Sequence, residues 1–235
     1  MKESTGGDSA PNRQEMHRVA AERITEISKE FKEGFELLEN YPKSITFFGA
    51  NQFREDNSYY KDARTLASRL SKELGYSILS GGGPGIMEAA NRGAFEAGGN
   101  SVGLLIKLPG GQITNKYITR EFTSRYFFVR KVCLSFSAEA FIFYPGGFGT
   151  LDEFFELLTL VQTKKIAGVP LICVGSEYWN ELKGFMEREM ISRGTISVEE
   201  LELFHIIDDH DEIINLIEKV KVQNGVLYEP KPETL

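Results

Sequence analysis

The chain has 235 residues, 41% hydrophobic and 26% charged, enough for one domain with a sizeable core. Its net charge of −7 comes without any basic stripe, which argues against a nucleic-acid polymer as partner. The two cysteines, Cys133 and Cys173, lie among apolar residues, the N terminus carries no signal-like apolar stretch, and no apolar run approaches about 18 residues; together these predict a cytoplasmic protein without a membrane span.

Residues 1–13 are polar and rich in turn formers, and read as a disordered tail. From Glu15 to Asn40 apolar residues recur every three to four positions (Val19, Ile24, Ile27, Phe31, Phe35, Leu38), which predicts an amphipathic helix ahead of the main core. Short apolar runs and helical patterns then alternate. Strands are expected at Ser44–Gly49, Tyr76–Leu79, Ser101–Ile106, Ala140–Tyr144 and Val169–Val174. Helices are expected at Tyr59–Leu74, Ile86–Ala97, Ser124–Ser137, Glu153–Gln162, Tyr178–Arg193 and Glu212–Val222. A loop with Pro109-Gly110-Gly111 and a short extended piece follow the third strand, and Glu229–Leu235 reads as a loose tail. Nearly continuous apolar strands between helices imply a parallel sheet covered on both faces. The fold class is therefore α/β: a Rossmann-like doubly wound sheet in a single nucleotide-binding domain over residues 14–228. In such sheets ligands sit beyond the carboxyl ends of the strands.

Two glycine-rich turns occupy those ends. Gly81-Gly82-Gly83-Pro84-Gly85 follows the second strand, and neither a Walker A loop nor the dinucleotide spacing fits it, since Ile86 stands where the last glycine would be. A mononucleotide phosphate at Gly82 and Gly83 and a simple tight turn both remain open there. The second run, Pro145-Gly146-Gly147-Phe148-Gly149-Thr150-Leu151-Asp152-Glu153, has more glycine than a plain turn needs. Gly146, Gly147 and Gly149 would let a phosphate approach the backbone at a helix N terminus, with the Thr150 hydroxyl adding a donor. Thr150-Leu151-Asp152-Glu153 also matches a capping box, which would hold Glu153 in place and keep its carboxylate charged.

Other groups yield less. His17, His205 and His210 have no metal-ligand spacing, so no metal site is expected. No G-x-S-x-G nucleophile elbow occurs. Arg125-Tyr126-Phe127-Phe128-Val129-Arg130-Lys131 reads either as a helix with a buried aromatic face or as a helix that carries Arg130 to the crevice. The Leu151–Val161 helix is apolar around most of its circumference, which suggests a homodimer interface.

Pro-Gly-Gly-x-Gly-Thr-x-x-Glu at 145–153, the aromatic stretch ending in Arg130-Lys131, and Ser80-Gly81-Gly82-Gly83 with Gly85-Ile86-Met87 together resemble the LOG family, over about Ser44 to Trp179. The resemblance implies a homodimeric Rossmann-like phosphoribohydrolase without a cofactor. Its reaction splits the N-glycosidic bond of AMP or a cytokinin riboside 5′-monophosphate into free base and ribose 5-phosphate. Carried over by motif, the catalytic pair is Arg130 and Glu153, with Lys131 and Asp152 in support. The chain departs from the pattern where Phe128 replaces a histidine and Asp152 a glutamate, which leaves base preference open. A non-catalytic nucleotide or cofactor carrier of the same fold is the alternative.

Overall fold

The computed structural model describes residues 12–221 except 112, 137 and 167. The elements are α1 (Arg13–Leu38), β1 (Ser44–Phe48), α2 (Ser58–Leu74), β2 (Ser77–Ser80), α3 (Ile86–Glu96), β3 (Ser101–Ile106), β4 (Arg120–Ser124) and α4 (Phe127–Phe136). They continue with β5 (Ala138–Phe143), α5 (Phe148–Gln162), β6 (Leu171–Cys173), α6 (Ser176–Phe185), a π-helical turn (Met186–Ile191), a 3-10 turn (Glu199–Leu203), β7 (His205–Ile206) and α7 (His210–Glu218).

The strands form one parallel sheet in the order β4-β3-β2-β1-β5-β6-β7. Side chains alternate across it as the strand period of two requires. Ile45, Phe47, Ala140 and Ile142 face a core shared with α2, α3 and α7; Phe48, Phe141 and Phe143 face a second core with α1, α4, α5 and α6. The Rossmann-like α/β architecture is as the sequence predicts. No helix among the described residues is long and apolar enough to cross a membrane.

Several boundaries differ from expectation. The first helix begins at Arg13, inside the expected tail, because Asn12 and Glu15 close a capping box across it. The extended piece after the third strand is a full edge strand, β4, and β7 adds a second edge. The expected Tyr178–Arg193 helix ends as α6 at Phe185 and passes into the π-helical turn. The expected tail at 229–235, residues 1–11 and the end of the last helix at Val222 lie outside the described residues.

β1 pairs with β2 on one side and β5 on the other. The chain winds outward in opposite directions from this pair of neighbours, so the crevice at the switch point opens between the ends of β1 and β5. Both glycine turns, after β2 and after β5, stand beside it.

Candidate functional site

The turn after β1 ties the two glycine turns together. The Ala50 amide donates to the Pro145 carbonyl and the Ala50 carbonyl accepts from the Ile86 amide, each at 3.0 Å. Gly85 has φ 75° and faces the Ala50 and Asn51 backbone, where a side chain would collide.

The two turns are unlike each other. The Gly81–Gly83 turn is buried. The Gly82 amide already donates to Ser80 Oγ at 3.0 Å, and the Gly82 carbonyl accepts from the Asn115 amide at 3.0 Å. Asn115 Nδ2 donates to the Gly83 carbonyl at 3.1 Å and to Asn91 Oδ1 at 2.9 Å. The expectation that Gly82 offers its amide to a phosphate is therefore corrected: its polar groups are spent inside the turn. The turn instead seats Arg130, because a Cβ at Gly81 would fall on Arg130 Nη2. Arg130 Nε donates to the Leu104 carbonyl at 2.8 Å, which fixes the guanidinium over the strand ends.

The turn after β5 is open. Gly147, Phe148 and Gly149 are exposed, Phe148 by 94%. α5 starts at Phe148 with Gly147 as its N-cap and no side-chain cap. The capping box predicted at Thr150–Glu153 is thus not formed: the glycine turn begins the helix two residues ahead of Thr150, so Thr150 is already inside the first turn. Its side chain is buried against Gly146, where a Cβ would overlap Thr150 Oγ1. Gly147 and Gly149 have no such reason to be glycine; no atom stands within 4 Å of a Cβ at either, and neither has a positive φ. Uncapped first-turn amides beside bare glycines suit an anion.

Glu153 lies in the second turn of α5, 9% exposed, and its Oε2 has no hydrogen-bond partner among the described residues. Burial pushes its pKa up to about 7; Lys131 and Arg130 oppose this, while Glu156 and Asp152 add to it. The expected preference for the charged form is corrected in direction: without the cap, desolvation outweighs the nearby cations and favours the neutral acid. Burial lowers the Arg130 pKa and Glu153 raises it, so the two are electrostatic neighbours, yet no ion-pair contact joins them among the described residues.

Lys131 and Asp152 stand to one side. Lys131 Nζ pairs with Asp152 at 3.0 Å and Glu156 at 2.7 Å. Burial opposes its charge, but the two carboxylates outweigh burial and raise its pKa. These residues line an open groove of about 650 Å³ along the outer side of α5, with Phe148, Leu151, Phe155 and Leu160. Among the described residues no cluster of three metal-ligating side chains occurs.

Three supporting residues escape sequence reading because they act from far along the chain. Asn115 and Tyr178 touch the two glycine turns. Glu30 on α1 is buried, and its carboxylate accepts from the amides of Arg125 at 3.0 Å and Tyr126 at 3.3 Å, just ahead of α4. It caps the helix that carries Arg130. Glu30→Ala is expected to cost about 1–2 kcal/mol in thermal unfolding, with Glu30→Gln recovering part. Unchanged melting in Glu30→Ala would refute the cap.

A family model described as "Possible lysine decarboxylase" matches residues 87–217, more than half of the chain. Among curated proteins, the chain is 24% identical over 201 residues to cytokinin riboside 5′-monophosphate phosphoribohydrolase LOG5 of Arabidopsis thaliana, covering 84% of this chain and 87% of that protein. It is 28% identical over 162 residues to the Arabidopsis phosphoribohydrolase LOG1, covering 68% and 75%. A solved molybdenum cofactor carrier protein from Chlamydomonas reinhardtii shares the fold at a TM-score of 0.54 and 22% identity, covering 75% of this chain and 97% of that one.

Proposed function

This chain belongs to the family described as possible lysine decarboxylases, the LOG family, and on that footing we propose that it hydrolyses the N-glycosidic bond of a nucleoside 5′-monophosphate, AMP or a cytokinin riboside 5′-monophosphate. The observation that carries this reading is Glu153: a buried carboxyl with an unpartnered oxygen and a pKa of about 7, beside Arg130 and an uncapped glycine turn. The 5′-phosphate docks on the amides of Gly147, Phe148 and Gly149. The C1′–N bond breaks with its electron pair leaving on the base, and a ribosyl cation develops. The Glu153 carboxylate stabilises that cation and accepts a proton from the water that adds at C1′, as a glycosidase carboxylate does, and that proton passes on to the departing base, which leaves neutral while Glu153 returns to its carboxylate form. A pKa near the working pH suits a general base. Arg130 holds the ribose or the departing base, and Lys131 with Asp152 steadies α5 from outside. The products are free base and ribose 5-phosphate.

Decarboxylation through a lysine Schiff base fits these residues poorly. Lys131, the lysine paired beside the site, is held protonated by two carboxylates, whereas such chemistry needs a free amine. The working form is proposed as a cytoplasmic homodimer, joined along the outer side of α5, where Phe148 is left almost fully exposed. The reaction is read without cofactor or metal.

Incubating the protein with a panel of nucleoside monophosphates and separating free bases by chromatography tests the reading. Adenine release from AMP is expected, falling about 10²-fold or more in Arg130→Ala. Nucleotide binding with no product at all would favour the carrier alternative.

A further inference from the structure

The turn between β6 and α6 presses on the phosphate cradle. Gly175, at φ 102°, has no room for a side chain: a Cβ would stand 2.9 Å from the Pro145 ring and 3.0 Å from the Tyr59 ring. Three residues on, the Tyr178 hydroxyl donates a 2.8 Å hydrogen bond to the Gly146 carbonyl. Its platform is firm. The Tyr178 ring meets the Trp179 ring edge-on at 5.1 Å, Trp179 is fully buried, and Trp179 Nε1 donates to the Val174 carbonyl at 3.2 Å. Asp208 accepts from the Gly175 and Ser176 amides at 2.7 and 3.1 Å, which fixes the start of α6. The neighbouring Pro145 carbonyl is held by the Ala50 amide.

Both carbonyls that lead into the cradle are therefore engaged. A trans peptide is planar, with its C=O and N–H pointing in opposite directions. Holding the Gly146 carbonyl towards Tyr178 turns the Gly147 N–H the other way, away from α6. There it joins the uncapped amides that open α5. Without that bond, the Gly146–Gly147 peptide, whose Cβ space at Gly147 is empty, is free to rotate.

We propose that Tyr178 is a positioning residue for phosphate recognition, its hydroxyl orienting the Gly146–Gly147 peptide so that the cradle amides face the ligand. The inference rests on the phosphate-docking part of the proposed function, and its test does not need turnover. Inorganic phosphate and ribose 5-phosphate are titrated calorimetrically into the full chain, Tyr178→Phe and Tyr59→Phe. The Tyr59 hydroxyl bonds Glu177 at 2.9 Å instead of the cradle and serves as the control. Tyr178→Phe is expected to weaken both ligands about fivefold, the size of one hydrogen bond, with Tyr59→Phe matching the unmodified chain. KM for AMP is expected to rise by the same factor while kcat stays within about twofold. A merely structural role would lower kcat and the melting temperature together. Equal phosphate affinity in Tyr178→Phe and the unmodified chain would overturn the inference, as would an unmodified chain that binds no phosphate. Phosphate binding that depends on Tyr178 in a protein that releases no base would keep it and remove the hydrolase reading alone.

Discussion

Glu153→Gln is expected to abolish base release from AMP, with kcat down about 10³-fold, and to raise the melting temperature at pH 8 while leaving it unchanged at pH 4.5. The first effect follows from the role proposed for the carboxylate; the second follows from its burial. In the folded chain Glu153 titrates at about 7, against an ordinary value of 4.5. Between those values the folded chain keeps a proton that the unfolded chain has lost, so stability falls as pH rises through the window. Above about pH 7 the cost is fully present. The difference of about 2.5 units sets a ceiling of about 3 kcal/mol. Glutamine keeps the shape and drops the charge, so it removes the cost where the carboxylate is ionised and changes nothing where the acid is already neutral. For a chain of this size the gain is several degrees. On the proposed function, base release by the unmodified chain should climb with pH to a plateau, with a midpoint near 7, as the carboxylate forms. Thermal melts at the two pH values and a pH–rate profile check this; an equal melting shift at both, or an active glutamine variant, would refute it.

The same residue marks the limit of what spacing reveals. Thr150-Leu151-Asp152-Glu153 matches a capping box in letters, but a cap requires the helix to begin at Thr150. Here the glycine turn begins it at Phe148, and Thr150 is buried on Gly146. The downward pull on the Glu153 pKa inferred from the cap fails with it, since burial shifts Glu153 upward instead. By contrast, Ser44–Phe48 and Ala138–Phe143 are buried at every position, and runs of that kind are legible as central parallel strands. β4 is legible only as an extended piece, because Arg120, Glu121 and Thr123 are exposed at the sheet edge. Arg130 and Glu153 are singled out in the sequence by motif alone. Glu30 lies 95 residues from the amide it caps, and Tyr178 lies 32 from the carbonyl it holds. No periodicity connects such pairs; only the fold does.

Gly81→Ala is expected to reduce kcat/KM for AMP about 10²-fold while the protein remains folded and phosphate binding persists. Gly81 has no positive φ, so the backbone tolerates alanine. The added methyl meets Arg130 Nη2 and, at 2.8 Å, Met87 Sδ, both ends of flexible side chains, so the fold can yield where the guanidinium cannot stay. Displacing an oriented charge by about 1 Å costs about 10² in rate. Gly85→Ala supplies the contrast: its φ of 75° and the adjacent Ala50 backbone leave no such escape, and the chain itself should unfold. Gly147→Ala meets nothing within 4 Å, should melt like the unmodified chain, and should weaken phosphate instead. Measuring kcat/KM, melting temperature and phosphate affinity on the three variants separates a seat for arginine, a strut of the fold and a lip of the cradle. Full activity in Gly81→Ala would show that Arg130 does not act from the position that glycine gives it.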